Sequence, residues 1–512
     1  MAEPAALAGG SLNHTSRWAP PDRTVAAFWA VVAVLVGVVL VTSYSRFQAT
    51  GILAAIAFLL VVIAWRQTLL AWPTLLALII GLILFVPIRR YTLGGGLPFA
   101  LEPYRVLIAV VLVAWLAALL VDPKTRFQRS GLEAPVLFLL AGIGCSLVLN
   151  TGRVAAVSDT VVKGLTFFVS FFFILYFVSS AVTSRPALDR MVKLLVGGGV
   201  AVAIAAVVEW RTGYNVFNDL GRLVPVLDFS ELGIPETPER GDRPRAYGSA
   251  QHSIALGAAL VVIMPLAIYL YRRSGRFGWM AAAAILTLGA MATGSRTAIV
   301  MLGTTLVVFL VVKHKETVRL LPLLIPLFLV VQVVMPGTLG TFKATFLPKE
   351  GLVAEEQAEA GQGGSGRLAD VGPSLEEWGR TPLFGQGFGT RLPSTGDEKV
   401  NALILDNQWL ASLLELGAVG FIALVWLFAR AGRRLARAAR GNDEPDGWLL
   451  TALCASTIAF AIGMFTFDAF SFTQVTFLVF IVLGLSAAAM RFVGEDTRDG
   501  GRSPRAVSAA LR

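Results

Sequence analysis

Residues 252–312, HSIALGAALVVIMPLAIYLYRRSGRFGWMAAAAILTLGAMATGSRTAIVMLGTTLVVFLVV, hold three apolar runs and two unlike turns. The runs predict helices at about 252–271, 277–293 and 297–312. A helix of about 20 apolar residues crosses the hydrocarbon core of a bilayer, because it satisfies its own backbone where no water can. The first turn, Arg272-Arg273-Ser274-Gly275-Arg276, is dense in positive charge. The second, Ala292-Thr293-Gly294-Ser295-Arg296-Thr297, carries one cation in a minimal loop. Turns at opposite ends of one span face opposite sides of a membrane.

The same rhythm runs from Val25 to Phe492, with further spans at about 25–42, 49–65, 68–88, 102–121, 131–149, 160–182 and 190–209. Toward the C-terminus others follow at about 318–335, 409–429, 447–464 and 472–490. The expected fold is all-α: a polytopic membrane bundle of about 12–14 transmembrane helices. Three regions are expected: N-terminal spans over 1–189, a second membrane region over 190–490, and a tail over 491–512. The second region holds two long polar loops, 210–251 and 336–408.

Composition agrees. The chain is 56% hydrophobic and 15% charged, with mean hydropathy +0.71, which excludes a soluble or disordered protein. Its net charge of +10 is not a nucleic-acid signal, because the arginines are scattered and no basic run is interleaved with aromatics. Cys145 and Cys454 both fall in apolar runs, and His14, His252 and His314 are dispersed, so neither a disulfide framework nor a histidine metal site is expected. Residues 1–24 are polar and contain prolines, and the run after them reads as a retained span.

Orientation follows from the lysine and arginine bias of short loops. Basic clusters occur at Lys124/Arg126/Arg129, Arg185/Arg190/Lys193, Arg272/Arg273/Arg276, Lys313/Lys315/Arg319 and Arg430/Arg433/Arg434/Arg437/Arg440. With both termini cytoplasmic, all five fall inside, and both long polar loops face outward. For a bacterial cytoplasmic (inner) membrane, that is the periplasmic or extracellular side. The outward arginines, Arg89, Arg90, Arg105, Arg211, Arg243, Arg245, Arg296 and Arg367, then oppose the bias. Arg296, at the mouth of two apolar helices with no carboxylate beside it in sequence, suits an anion, or else snorkels as a structural cation.

Three outward segments bear chemistry. Arg243-Pro244-Arg245-Ala246-Tyr247-Gly248-Ser249-Ala250-Gln251-His252 leads into a helix N-terminus, where guanidinium forks and backbone N–H donors suit an anionic group. Gly294-Ser295-Arg296 is the second. The third contains Arg367 and Arg380-Thr381-Pro382-Leu383-Phe384-Gly385-Gln386-Gly387-Phe388-Gly389, and ends at Asp406-Asn407-Gln408-Trp409-Leu410. The three glycines are no nucleotide fingerprint, since no strand precedes them; they read as a tight loop returning Asp406 to the membrane surface. Asp406 itself is either a helix N-cap or a general base near the arginines.

Arg245-Ala-Tyr-Gly, Gly294-Ser-Arg296, Pro382-Leu-Phe-Gly385-Gln-Gly387 and Asp406-Asn407-Gln-Trp-Leu410, followed by Leu-Glu415-Leu-Gly417-x-x-Gly420, stand in the order of the O-antigen ligase and polymerase superfamily, which the chain resembles over roughly 190–490. The resemblance implies a GT-C-like membrane glycosyltransferase that takes a glycan from an undecaprenyl-diphosphate-linked donor. The acceptor would be a hydroxyl on a glycan, lipid or protein, with membrane lipids around the enzyme and no nucleic acid as partner. It implies Arg245 and Arg296 as holders of the lipid diphosphate, with Asp406 where O-antigen ligases carry a histidine. Arg243, Arg211, Arg367, His252 and Asn407 are the further expected substrate contacts. No cofactor and no metal are expected, because two or three arginines can stabilise a departing diphosphate. A competing expectation is a transporter or flippase of the lipid carrier; it would place charges mid-membrane, whereas Lys163, Glu209, Glu415 and Asp468 all fall near outer helix ends.

Overall fold

The structure, a computed structural model, describes residues 71–93, 101–224, 226–231, 234, 244–334, 336, 370–391 and 405–500. The expected spans at about 25–42 and 49–65 lie outside the described residues, as do Arg243 and Arg367. The principal helices are α1 Trp72–Phe85, α2 Pro103–Val121, α3 Glu133–Leu149, α4 Ser158–Ala181 and α5 Arg185–Thr212. After the first polar loop come α6 Ser253–Ser274, α7 Gly278–Ala292, α8 Arg296–Val312 and α9 Leu324–Val334. The second loop holds α10 Val371–Trp378, and α11 Gln408–Ala439, α12 Pro445–Gly463 and α13 Thr473–Gly500 complete the bundle. Among the described residues, eight helical segments are long and apolar enough to cross a membrane, and α1, α3, α7 and α8 are shorter apolar helices. The chain is a multi-pass helical membrane protein.

α6 stands at the centre, packed against α5, α7, α8, α12 and α13. Its window of apolar residues is 94% buried. Inside a bilayer, apolar side chains gain little by leaving lipid, so close van der Waals packing between helices must hold the bundle. Small residues permit it. A Cβ on Gly289 of α7 would stand 2.7 Å from Ala203 Cα of α5, and one on Gly257 of α6 would stand 2.7 Å from Thr293 Oγ1.

Three expected spans differ most in outline: the run at 472–490 continues to Gly500 as α13, so the first ten residues of the expected tail are helical. The run at 318–335 is three pieces, His314–Leu320, a 3-10 turn at Leu321–Leu323 and α9, because Pro322 lacks the N–H that would continue the first. The run at 409–429 continues ten residues further as α11, so Arg430, Arg433, Arg434 and Arg437 lie on a helix rather than in a loop. Within α11 the chain breaks at Gly417, at φ 66° and ψ −168°. That conformation is essentially restricted to glycine.

Because successive helices alternate in direction, the five basic clusters gather at one end. There Arg273 reaches Asp189 at 2.5 Å, Lys313 reaches Asp443 at 2.9 Å, and Arg185 pairs with Asp446. Arg434 and Arg430 donate to the carbonyls of Ser130 and Gly131 at 3.0 and 2.7 Å. Across the opposite end runs a short antiparallel ribbon, Tyr91–Leu93 (β1) against Leu227–Phe229 (β2), with Thr92 facing Asp228.

Candidate active site

At the end opposite the basic clusters, α7 stops at Ala292 and α8 begins four residues later. Gly294 takes the left-handed conformation (φ 59°) that the tight turn demands. Ser295 caps α8 by accepting from the Ala298 N–H at 3.4 Å. Arg296 is therefore the first residue of α8, and it is only 7% exposed.

The Arg245 segment lies directly on this turn. Ala246 N–H donates to Ala292 O at 3.2 Å, and Arg245 Nε donates to Thr293 O at 3.1 Å. The aliphatic part of Arg245 crosses Gly294, whose missing Cβ would meet Arg245 Cγ at 3.5 Å. Arg245 is 6% exposed. Two buried guanidinium side chains, more than fifty residues apart in the chain, are thus fixed on one four-residue turn. The buried side chains of Arg90 and Glu209 hold the backbone just after Arg245.

The turn is tied to Asp406 through the loop between α12 and α13, residues 464–472. Thr466 Oγ1 donates to Thr297 Oγ1 of α8 at 2.8 Å. The Gln408 N–H donates to Met464 O at 2.9 Å and Phe467 O at 3.2 Å, and Gln408 Oε1 accepts from the Phe470 N–H at 2.7 Å. This loop therefore stitches the first turn of α8 to the first turn of α11. Asp468, half-buried in it, was not among the expected site residues, because its sequence context looks like any loop aspartate. Burial pushes its carboxyl up to about 6, and the nearby Asp406 carboxylate adds to the rise, while Ser471 opposes it.

The cap of α11 is Asn407, not Asp406. Asn407 Oδ1 accepts from the N–H groups of Trp409 at 3.0 Å and Leu410 at 3.2 Å, which leaves Asp406 one residue outside the helix and exposed. Of the two expectations for Asp406, capping is overturned.

The glycine loop does more than return the chain. Residues 382–387 insert beside the break in α11 and form a ladder with it. Gln386 N–H donates to Leu414 O at 2.9 Å and Gly387 N–H to Glu415 O at 3.2 Å. In return Ala418 and Val419 donate to Pro382 O at 2.8 Å and Leu383 O at 3.1 Å. The backbone groups that a broken helix would leave unsatisfied are thereby paired. Asn150 Nδ2 donates to Gly385 O at 3.1 Å, and Ser146 Oγ donates to Glu415 O at 2.6 Å. Side chains could not fit here: a Cβ on Gly417 would stand 2.4 Å from Leu383 C, and one on Gly385 would stand 2.5 Å from Glu415 C. Beyond the ladder, Arg391 pairs with Glu377 of α10. Burial opposes ionisation of Glu377, but its hydrogen bonds from Arg391 and Gln386 hold the carboxyl below the usual range.

The remaining expected contacts are placed as follows. His252 caps α6, its Nδ1 accepting from the Ile254 N–H at 3.1 Å, and its ring lies 5.7 Å from that of Phe472 in the loop at 464–472. Arg211 is exposed at the end of α5, over Trp210 and 3.5 Å from Val333 O of α9, so it faces a different neighbour from Arg245.

Residues 281–425 match the O-antigen ligase family model. The matched stretch runs from α7 into α11 and contains the Arg296 turn, the glycine loop, Asp406 and the break at Gly417. Arg245 and Asp468 lie on either side of it. No curated protein matches the chain. The match bears out the resemblance to the O-antigen ligase superfamily and supports a ligase- or polymerase-like role in glycan biosynthesis.

Proposed function

We propose that the protein transfers a glycan from an undecaprenyl-diphosphate carrier to an acceptor hydroxyl at the outer surface of a bacterial cytoplasmic membrane. The observation that carries this reading is the seating of Arg245 and Arg296 on a single turn, next to a loop that also holds the segment of Asp406. Two arginines seated on one turn suit a diphosphate, which guanidinium groups can grip through paired N–H donors.

In the proposed reaction the bond between the anomeric carbon and the carrier phosphate breaks, and its electron pair leaves with the diphosphate. The negative charge that develops there is stabilised by Arg245 and Arg296, already in position before the reaction. The acceptor oxygen forms the new bond to the anomeric carbon while its proton passes to the Asp406 carboxylate, acting as general base. A single displacement inverts the anomeric centre. Asp468, beside Asp406, adds negative charge to the face from which the proton is drawn.

Purified protein supplied with a carrier-linked oligosaccharide and an acceptor glycan should release undecaprenyl diphosphate in step with lengthened or transferred glycan. Absence of both products with intact, folded protein would sink the reading. The outward placement is tested separately. In a C145A/C454A background, D228C in cells should react with a membrane-impermeant thiol reagent and A436C should not; the reverse pattern would invert the topology.

A further inference from the structure

Arg90 is an unusual cation. It follows α1 at the outer end of the bundle, against the charge bias of that side, and it is fully buried. Its Nη2 donates to Gly248 O at 2.5 Å and to Ala250 O at 2.9 Å, and its Nη1 donates to Asn218 Oδ1 at 2.7 Å. Its guanidinium also stands 5.0 Å from the centre of the Tyr247 ring. From the other side, Glu209 at the end of α5 accepts from the Gly248 N–H at 2.8 Å and the Tyr247 N–H at 3.3 Å. Asn215 Nδ2 bridges Glu209 Oε1 and Gly248 O, both at 3.0 Å. One cation thus takes the carbonyls of Gly248 and Ala250, and one anion the N–H groups of Tyr247 and Gly248, immediately after Arg245.

Burying two opposite charges is a costly way to hold a loop, because the desolvation penalty offsets much of the attraction. A few apolar side chains would fix a loop of this size at lower cost. What charged groups add is direction: a guanidinium fork with fixed geometry, and a carboxylate with two oriented acceptors. Gly248 completes the device with φ 50°, a left-handed turn that reverses the chain between Arg245 and α6. Burial lowers Arg90 to about 10, with Tyr247, Glu209 and Tyr91 opposing, so it stays charged at neutral pH. The ribbon fixes Arg90 in turn: Ser230 N–H donates to Arg90 O at 2.9 Å, and Tyr91 Oη donates to Phe217 O at 2.9 Å.

We infer that Arg90 and Glu209 are positioning residues that aim the Arg245 guanidinium at the carrier diphosphate. This role rests on the donor reading given above. It brings the N-terminal spans, which lie outside the O-antigen ligase match, into the construction of the site. Neither residue touches substrate in this scheme; each acts only through Arg245.

The test is a double-mutant cycle on the full-length purified protein, read as affinity for undecaprenyl diphosphate and as kcat and KM of transfer. Arg90→Lys keeps the charge but cannot serve three acceptors in a fixed plane, so it should weaken carrier binding about tenfold in the parent. In an Arg245→Ala background the same change should cost less than about twofold, because nothing remains to be aimed. Glu209→Gln should show the same dependence on Arg245, which keeps the test available should Arg90→Lys fail to fold. An equal loss in both backgrounds would reduce the pair to general scaffolding. If Arg245→Ala alone leaves binding unchanged, the donor reading itself falls, and the aiming role with it. That outcome is recognisable because Arg90 is intact in the variant.

Discussion

Two sets of arginines, one at each end of the bundle, are arranged differently. At the basic end five cations are held by neighbouring segments: Arg273 by Asp189, Arg185 by Asp446, Lys313 by Asp443, and Arg430 and Arg434 by loop carbonyls. These pairs join neighbouring loops. At the other end, Arg245 and Arg296 are drawn from two segments onto one turn, while carboxylates gather on adjacent segments at Asp406 and Asp468. Spreading charge stabilises a surface; converging it builds a place where a second charge can bind. Substitutions at the converging end should therefore cost activity, and those among the loop-joining pairs should cost stability.

The largest effect is expected at the arginine turn. Arg296→Ala and Arg245→Ala should each lower kcat/KM about 10²–10³-fold, the scale of removing one donor to developing charge, with protein levels in the membrane unchanged. Arg296→Lys should recover only part of the loss. Near-normal turnover in both alanine variants would dissolve the contrast between the two ends.

Next comes Asp406. Because Asn407 already caps α11, Asp406→Asn should leave thermal stability unaltered while transfer falls about a hundredfold, at the lower edge of general-base contributions. Asp406→His should keep some activity. Asn407→Ala should behave in the reverse sense, losing ~1 kcal/mol of stability in a melting experiment. Full activity in Asp406→Asn would leave catalysis to the arginines.

Gly417→Ala probes the ladder between them. A side chain at this φ and ψ costs ~1–3 kcal/mol in backbone strain alone, and here its Cβ also meets Leu383. Displacement of the glycine loop should lower the melting temperature and transfer together. A variant with parental values of both would show that the break is incidental.

At the paired end, Arg273→Met should remove ~1 kcal/mol of stability or less, because the pair is partly exposed, and should change kcat/KM by less than about twofold. A loss of activity exceeding the loss of stability would place function at this end as well.

The smallest effect is a pH dependence. Burial holds the folded Asp468 carboxyl up at about 6, above the ordinary range near 4. The folded state therefore holds its proton more tightly than the unfolded state does. The stability this contributes is present below about pH 4 and is lost as pH rises through about 6. Asp468→Asn should accordingly melt higher than the parent at pH 7 and no higher at pH 4. Equal shifts at both pH values would show that Asp468 carries no such burial penalty.

Most spans among the described residues were legible because a bilayer imposes length and polarity on every helix that crosses it, and the Arg296 turn could be singled out because one cation sits in a minimal loop between two apolar helices. What escaped depended on contacts far apart in sequence. Gly385 and Gly417 read as punctuation, yet each leaves no room for a Cβ, because the backbone of Leu414 and Glu415 presses on Gly385 and that of Leu383 and Phe384 on Gly417. Arg90 read as one outward arginine among eight, since the carbonyls it serves lie some 160 residues downstream. Asp406 and Asn407 are both good capping types, and only geometry could say which one caps. Asp468 read only as one charge near a helix end; it gains a setting when the loop at 464–472 meets the starts of α8 and α11.

The break at Gly417 also has a mechanical side. Below it, residues 418–439 form an uninterrupted rod of about 33 Å. Its upper end is bonded to Pro382 and Leu383, and its lower part to Ser130 and Gly131 through Arg434 and Arg430. A displacement of the extramembrane loop therefore acts on a lever that ends among the loops of the opposite face. Strain imposed at either extremity should register as faster amide exchange of Ala418 and Val419, the two joints where the rod is fastened.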